Sequence, residues 1–212
     1  NELALNVGEP TEHLRKLAAD CIGVSVDDIT SFEISRESID SRKKSCIKMV
    51  YSVDVELSCD EESIAMKFPA NKVLYRERYS YTMPSVKRTS QLRPVIIGFG
   101  PAGMLCGLML AKCGLRPIIL ERGNDVDTRT KDVIDFWTHR RLNTSSNVQY
   151  GEGGAGTFSD GKLTTGIKDG RCREVFNQLY AHGAPEEIMY SARPHIGTDK
   201  LGEVVKNIRK DI

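Results

Sequence analysis

Hydrophobic and polar positions follow two different patterns along the chain, and the change falls near Pro84. Before it, the elements are short and amphipathic. Leu3, Leu5 and Val7 alternate with polar neighbours, which predicts a strand. Pro10 opens a predicted helix whose apolar residues Leu14, Leu17, Ala18, Cys21 and Ile22 recur three and four apart. Gly23 then suits the left-handed residue past a helix end. Phe32 and Ile34 suggest a second strand. Ile47, Met49, Tyr51, Val53, Val55 and Leu57 alternate with polar residues, as a strand with one buried and one wet face requires. The loop Asp40–Ser45 joins these two strands. A short helix near Glu61–Met66 and a strand near Val73–Tyr81 complete a β-α-β-β-α-β order.

That order resembles a ferredoxin-like α+β sandwich in architecture alone, and assigns residues 1–83 to a first domain. Met83–Arg93 is polar and aperiodic and begins with Met-Pro, so residues 84–93 read as a linker. From Pro94 onward the pattern is that of an α/β fold. Val95-Ile96-Ile97 is a continuous apolar run, expected to be a strand buried on both faces. A helix from Pro101 to Cys113 and a second apolar strand, Pro117–Leu120, follow. Residues 94–212 are therefore expected to form a Rossmann-type domain.

Between the first of these strands and its helix lies Gly98-Phe99-Gly100-Pro101-Ala102-Gly103, a G-x-G-x-x-G turn. In such a turn Gly98 permits the tight bend and Gly100 lets backbone N–H groups approach a pyrophosphate. Gly103 lets the helix pack close to the sheet, and the helix N-terminus adds positive potential. The second strand ends in Glu121, an acceptor for ribose hydroxyls whose charge disfavours a 2′-phosphate. These features leave FAD and NAD both open. Gly107, extending the small-residue pattern by a turn, is a tendency of FAD-binding folds.

A second glycine cluster holds five glycines between Gly151 and Gly161. This composition opposes helix and strand and favours a loop rich in exposed N–H groups, with Thr157, Ser159 and Lys162 as further donors. Interleaved Tyr150, Phe158 and Leu163 argue for a packed cofactor cradle rather than a flexible surface loop.

Composition narrows the class. The 212 residues carry 30 Lys+Arg against 29 Asp+Glu, so no excess of basic charge points to nucleic acid or a membrane surface. The longest apolar run, Met104–Ala111, is far shorter than the ~20 residues needed to span a bilayer. Asn1–Pro10 has two glutamates and no basic run, so no secretory leader is predicted. None of the six cysteines forms a C-x-x-C pair, which removes zinc spacing. Cys21 and Cys106 are expected on apolar helix faces, and a reducing cytoplasmic location fits best.

Three stretches together carry a resemblance: Arg93–Gly103, Leu120-Glu121-Arg122-Gly123, and Asn147–Leu163. With Pro194-His195-Ile196-Gly197-Thr198-Asp199, Val204-Val205-Lys206-Asn207, Ser38–Lys44 and Val50–Val55, they resemble bacterial FAD-dependent proteins known as NAD(FAD)-utilizing dehydrogenases. These are members of the glutathione-reductase-like flavoprotein superfamily. The resemblance implies an FAD-dependent oxidoreductase, with NADH or NADPH as candidate electron donor and a small-molecule substrate it does not identify. It places Gly98, Phe99, Gly100, Pro101, Ala102 and Gly103 at the FAD pyrophosphate, Glu121 at the adenosine ribose and Arg122 beside the adenine. Arg129 is either a phosphate partner or a solvated helix-face arginine. Gly153, Gly154, Ala155, Gly156, Thr157, Ser159, Lys162 and Leu163 would lie toward the flavin. His195 either approaches the flavin or makes a structural hydrogen bond. Family members are longer, so residues 94–212 are expected to be only the first part of the FAD-binding domain, with its C-terminal half absent, and the chain as it stands is expected to bind FAD poorly or not at all, to be inactive alone, and to self-associate through its apolar strands.

A competing reading makes the first domain an interaction or RNA-binding module attached to a structural flavin domain. Arg36, Arg42, Lys43, Lys44, Arg76 and Arg78 would supply a basic face. Asp40, Asp54, Glu56, Asp60, Glu61 and Glu62 occupy the same region, and a solvated mixed-charge surface is the simpler expectation.

Overall fold

The computed structural model describes residues 2–87 and 90–212; the part of the expected linker at Arg88 and Thr89 lies outside the described residues. The chain is mixed α/β and divides into two compact units. Asn1–Tyr79 with Met189–Ala192 form the first, and Ser80–Ile188 with Arg193–Ile212 the second. The division thus falls at Tyr79/Ser80 rather than at residue 83, and the first unit takes in a short segment from late in the sequence.

In the first unit, β1 (Leu3–Asn6), β2 (Ile29–Asp40) and β3 (Lys48–Leu57) form an antiparallel sheet in the order β1-β3-β2. The register sets Leu3 opposite Tyr51 and Leu5 opposite Met49. Alternation therefore puts Leu3, Leu5 and Tyr51 on one face, where they pack with Leu14 and Ala18 of α1 (His13–Ile22). Leu17, Phe32, Ile34, Met49 and Val53 extend this core. Gly23, at φ 72°, closes α1 by donating its N–H to the Ala19 carbonyl. Cys21, in the last turn of α1, is exposed rather than part of the apolar face. α2 (Glu61–Ala65) is a single turn capped by Asp60, which accepts from the Ser63 N–H.

The expected fourth strand does not form: residues 73–81 have no regular secondary structure and pair with no strand. Their arginines engage the wet face of the sheet instead. Arg76 pairs with Asp54 at 2.7 Å, and Arg78 reaches Glu33 and Glu56. An extra main-chain pairing is found at β2, where the Glu37 N–H donates to Tyr190 O and the Ala192 N–H donates to Glu37 O. The β-α-β-β-α-β order predicted for this domain is therefore incomplete.

In the second unit, β4 (Val95–Ile97) and β5 (Ile118–Leu120) lie parallel, joined by α3 (Pro101–Lys112) in a βαβ crossover. Gly107 makes the close packing possible, since a Cβ there would stand 2.5 Å from Ile119 Cδ1. α3 covers only the Ile96/Ile119 side of the strands. Val95, Ile97, Ile118 and Leu120 are exposed, Ile97 at 84%. The strands are thus half-buried on one face and exposed on the other, because no described element lies on the other side. Cys106 is likewise exposed, about 200° around α3 from the buried Met104. α4 (Val126–His139), α5 (Arg171–Ala181) and α6 (Thr198–Asp211) complete the unit. No helix among the described residues is long and apolar enough to cross a membrane.

Leu14 is fully buried at the centre of the first core. Leu14→Ala is expected to destabilise the first unit by about 2–5 kcal/mol, from lost transfer energy plus the cavity left behind. Chemical denaturation followed by circular dichroism checks this, and a change below ~1 kcal/mol would place Leu14 outside the core.

Candidate functional site

The glycine turn has the geometry its sequence requires. Gly98 adopts φ 96°, and a Cβ on Gly103 would stand 2.1 Å from the Gly98 carbonyl oxygen. α3 starts at Pro101 with Gly100 as N-cap and no side chain capping it. Its first-turn N–H groups have no intrahelical partner, so the turn presents donors and the positive end of the helix dipole. Glu121, just past the end of β5, bridges back to this turn. One carboxylate oxygen accepts the Phe99 N–H at 2.7 Å and the other the Gly123 N–H at 2.9 Å. Burial pushes the Glu121 carboxyl up, but these N–H groups, that of Arg122 and the Arg129 charge outweigh it and hold its pKa below the usual range. The carboxylate is therefore ionised beside an uncapped helix start.

The second glycine segment packs directly on the first. The Gly153 N–H donates to the Phe99 carbonyl at 2.8 Å. A Cβ on Gly154 would stand 3.2 Å from Gly100 Cα. One on Gly123 would stand 2.4 Å from Gly151 Cα. Both glycine-rich segments thus meet backbone to backbone.

Arg129 fixes this loop. It lies on α4 in the buried stripe Val126, Arg129, Val133 and is itself fully buried. Its Nε donates to Asn147 O at 2.8 Å and its Nη2 to Val148 O at 2.9 Å. Its Nη1 donates to the carbonyls of Glu152 at 2.6 Å and Gly154 at 2.8 Å, with Gly151 at 3.3 Å. The guanidinium also sits over the Phe158 ring, 4.9 Å from its centre. Both expected roles are replaced: Arg129 is neither solvated nor free to meet a phosphate, because loop carbonyls take its donors.

Further along, the expected donors are taken by neighbouring groups of the loop itself. Thr157 Oγ1 donates to Glu152 O, and Ser159 Oγ donates to Gly156 O. Lys162 is exposed and pairs with Asp160 at 3.1 Å. Gly161–Leu163 form a short ladder with Pro194–Gly197, in which the Leu163 N–H donates to Pro194 O and the Ile196 N–H to Gly161 O. His195 is exposed within that ladder. Ala155 and Gly156 lie in a short 3-10 turn, Ala155–Phe158. Arg122 is exposed and stacks on Tyr150, 3.9 Å from the ring centre.

Two residues carry weight that the sequence reading gave them no role for. Glu152, inside the glycine run, is 3% exposed. It accepts the Val126 N–H at 2.6 Å and pairs with Arg209 of α6 at 3.1 Å. Burial pushes its carboxyl above the usual range, against the Val126 N–H and Arg209. A carboxylate among closely packed glycines is a signal the sequence does contain. Arg209 gives none, being one of several basic residues at the end of α6. Glu121, Glu152 and Arg209 line a cavity of about 390 Å³ with Phe99, Ile119 and Ile212.

A dinucleotide's phosphate and ribose end fits these residues, on the uncapped α3 start and the ionised Glu121. Arg129→Met is expected to destabilise the second unit by at least ~3 kcal/mol, because it leaves several buried carbonyls unpaired at ~1–3 kcal/mol each. Thermal unfolding with Arg129→Lys alongside checks it. Lys, with three donors and no planar fork, is expected to rescue only part of the loss.

Comparison with known proteins adds two matches. A family model described as "Domain of unknown function (DUF8436)" matches residues 1–56, which end within β3 of the first unit. An uncharacterized protein of Clostridium beijerinckii is 45% identical over 214 residues, an alignment covering 100% of this chain and 40% of the relative. The chain therefore spans two-fifths of the length of that curated relative.

Proposed function

We propose that the chain supplies the nucleotide-binding part of an FAD-dependent oxidoreductase, with a Rossmann-type βαβ unit at its centre. The observation that carries this reading is the placement of Glu121. It stands past the end of the second parallel strand, ionised, and bonded to the turn that precedes the uncapped N-terminus of α3. A helix start favours the pyrophosphate, and a carboxylate at this position accepts from ribose hydroxyls. When bound, FAD supplies hydride transfer through its flavin ring, and NADH or NADPH is the candidate donor.

The chain's own residues bind and orient. Gly98 and Gly100 leave the turn without side chains, and Gly103 seats the start of α3 against Gly98 and Ile96. The Gly153–Gly154 segment, held by Arg129, closes over the same turn. The competing RNA-binding reading loses support from the first unit, because Arg42, Arg76 and Arg78 are committed to carboxylates of the same unit.

FAD added to a purified protein that carries this chain at the full length of its relative is expected to raise flavin fluorescence polarisation saturably. Glu121→Gln is expected to weaken binding about tenfold or more, since a charge-assisted hydrogen bond contributes ~1.5–3 kcal/mol. A polarisation signal that stays at the free-flavin value at all protein concentrations would remove the flavin reading.

A further inference from the structure

A buried acid lies where α6 covers the seam between the two glycine segments. Val204, Val205 and Ile208 of α6 are fully buried, and a Cβ on Gly153 would stand 3.0 Å from Val205 Cγ2. Beside Gly153, Glu152 is buried in turn, and Arg209 of α6 donates to its Oε2 at 3.1 Å. The same oxygen accepts the Val126 N–H at the start of α4. The other oxygen, Oε1, is sealed from solvent and has no hydrogen-bond partner among the described residues. One side of this carboxylate is thus solvated by protein groups and the other by nothing. An ionised carboxylate suffers from that far more than a neutral carboxyl group does.

The charges facing Glu152 come from three elements. Asp125 and Asp127, at the start of α4, repel its negative charge. Glu121, past the end of β5, lines the same cavity. Arg209 attracts it, but its side chain is 41% exposed, so water competes for the guanidinium and the pair contributes little. Lys206 of α6 is taken by Asp127 and Glu203. Arg129 of α4 directs its donors to backbone carbonyls. Burial first, and the two aspartates after it, therefore outweigh Arg209 and favour the protonated group.

We propose that Glu152 is a proton-binding site that locks α6 onto the glycine seam. A solvent proton bonds to Oε1, Oε2 continues to accept the Val126 N–H, and the Arg209 guanidinium turns to water. Lifting α6 lets water reach the carboxyl group, which then ionises as an ordinary glutamate does, near pH ~4.3. Between that pH and the higher one at which the seated group ionises, lifting α6 releases a proton. The opening constant of α6 therefore rises with pH across this window, by at most about tenfold per unit, and is level on either side. Arg209 and Ile212 reach the cavity that Phe99 and Glu121 also line, so the seating of α6 is felt at the first glycine turn. The lock needs no ligand and stands apart from the flavin reading.

The test is hydrogen exchange, read by mass spectrometry, on a purified protein that carries this chain at the full length of its relative. Rates are divided by the intrinsic chemical rate at each pH. In the wild type, protection of the α6 amides is expected to fall by at least about threefold as pH rises from about 5 to about 7, with α5 level. Glu152→Gln, neutral at every pH, is expected to give a level α6 profile. Arg209→Gln removes the opposing charge and is expected to move the wild-type fall to higher pH. Protection that falls toward acid instead would show that the Glu152–Arg209 ion pair holds α6, and would overturn the lock, as would a level wild-type profile. A fall that survives in folded Glu152→Gln would assign it to another group, such as His182 against Asp211, and would also overturn it. If Glu152→Gln folds poorly, Arg209→Gln decides: a profile that does not move overturns the proposal.

Discussion

The second unit depends on one buried guanidinium. Among the described residues no carboxylate pairs directly with Arg129; backbone carbonyls of the glycine loop take its donors, while Glu121 and Glu152 favour its charge from a distance. A planar fork with five donors suits several carbonyls at once in a way a lysine does not. Without it, a segment holding five glycines between residues 151 and 161 has more backbone freedom than any other part of the chain. With it, the loop is placed within reach of the first glycine turn, and Gly153 completes the contact through the Phe99 carbonyl.

This explains why glycine appears at both ends of the contact. Gly98 and Gly103 meet the demands of a strand–turn–helix junction. Gly123, Gly151 and Gly154 answer a different demand, the approach of one backbone to another. Glu152, set between two of those glycines, is the one long side chain able to leave the seam, and it reaches the start of α4 and the end of α6.

Much of this was legible in the sequence, for physical reasons that differ by element. β3 was readable because Met49, Tyr51 and Val53 face a core while Asp54 and Glu56 face water, and alternation reports that directly. The βαβ crossover and its glycine turn were readable because the backbone conformation admits few residues. Residues 73–81 misled because alternating Val73, Tyr75 and Tyr79 with Arg76 and Arg78 describes any extended segment. Alternation does not say whether that segment pairs through its backbone or, as here, through arginines on another strand's wet face. Val95–Ile97 misled because an apolar run reports what a strand tolerates, not whether cover is present within the chain. Arg129 was visible in position, on the stripe Val126, Arg129, Val133, but spacing treats a charged residue there as an exception rather than an anchor.

Because Arg129 ties loop carbonyls to a helix side chain, the loop and α4 share one stability. A glycine-rich surface loop ordinarily opens alone, and its amides exchange with solvent quickly. Here, releasing Gly153 from Phe99 while Arg129 stays bound to the Gly151, Glu152 and Gly154 carbonyls gives the loop little room to move. Opening of the loop is therefore expected to be coupled to that of α4, the helix whose side chain holds its carbonyls.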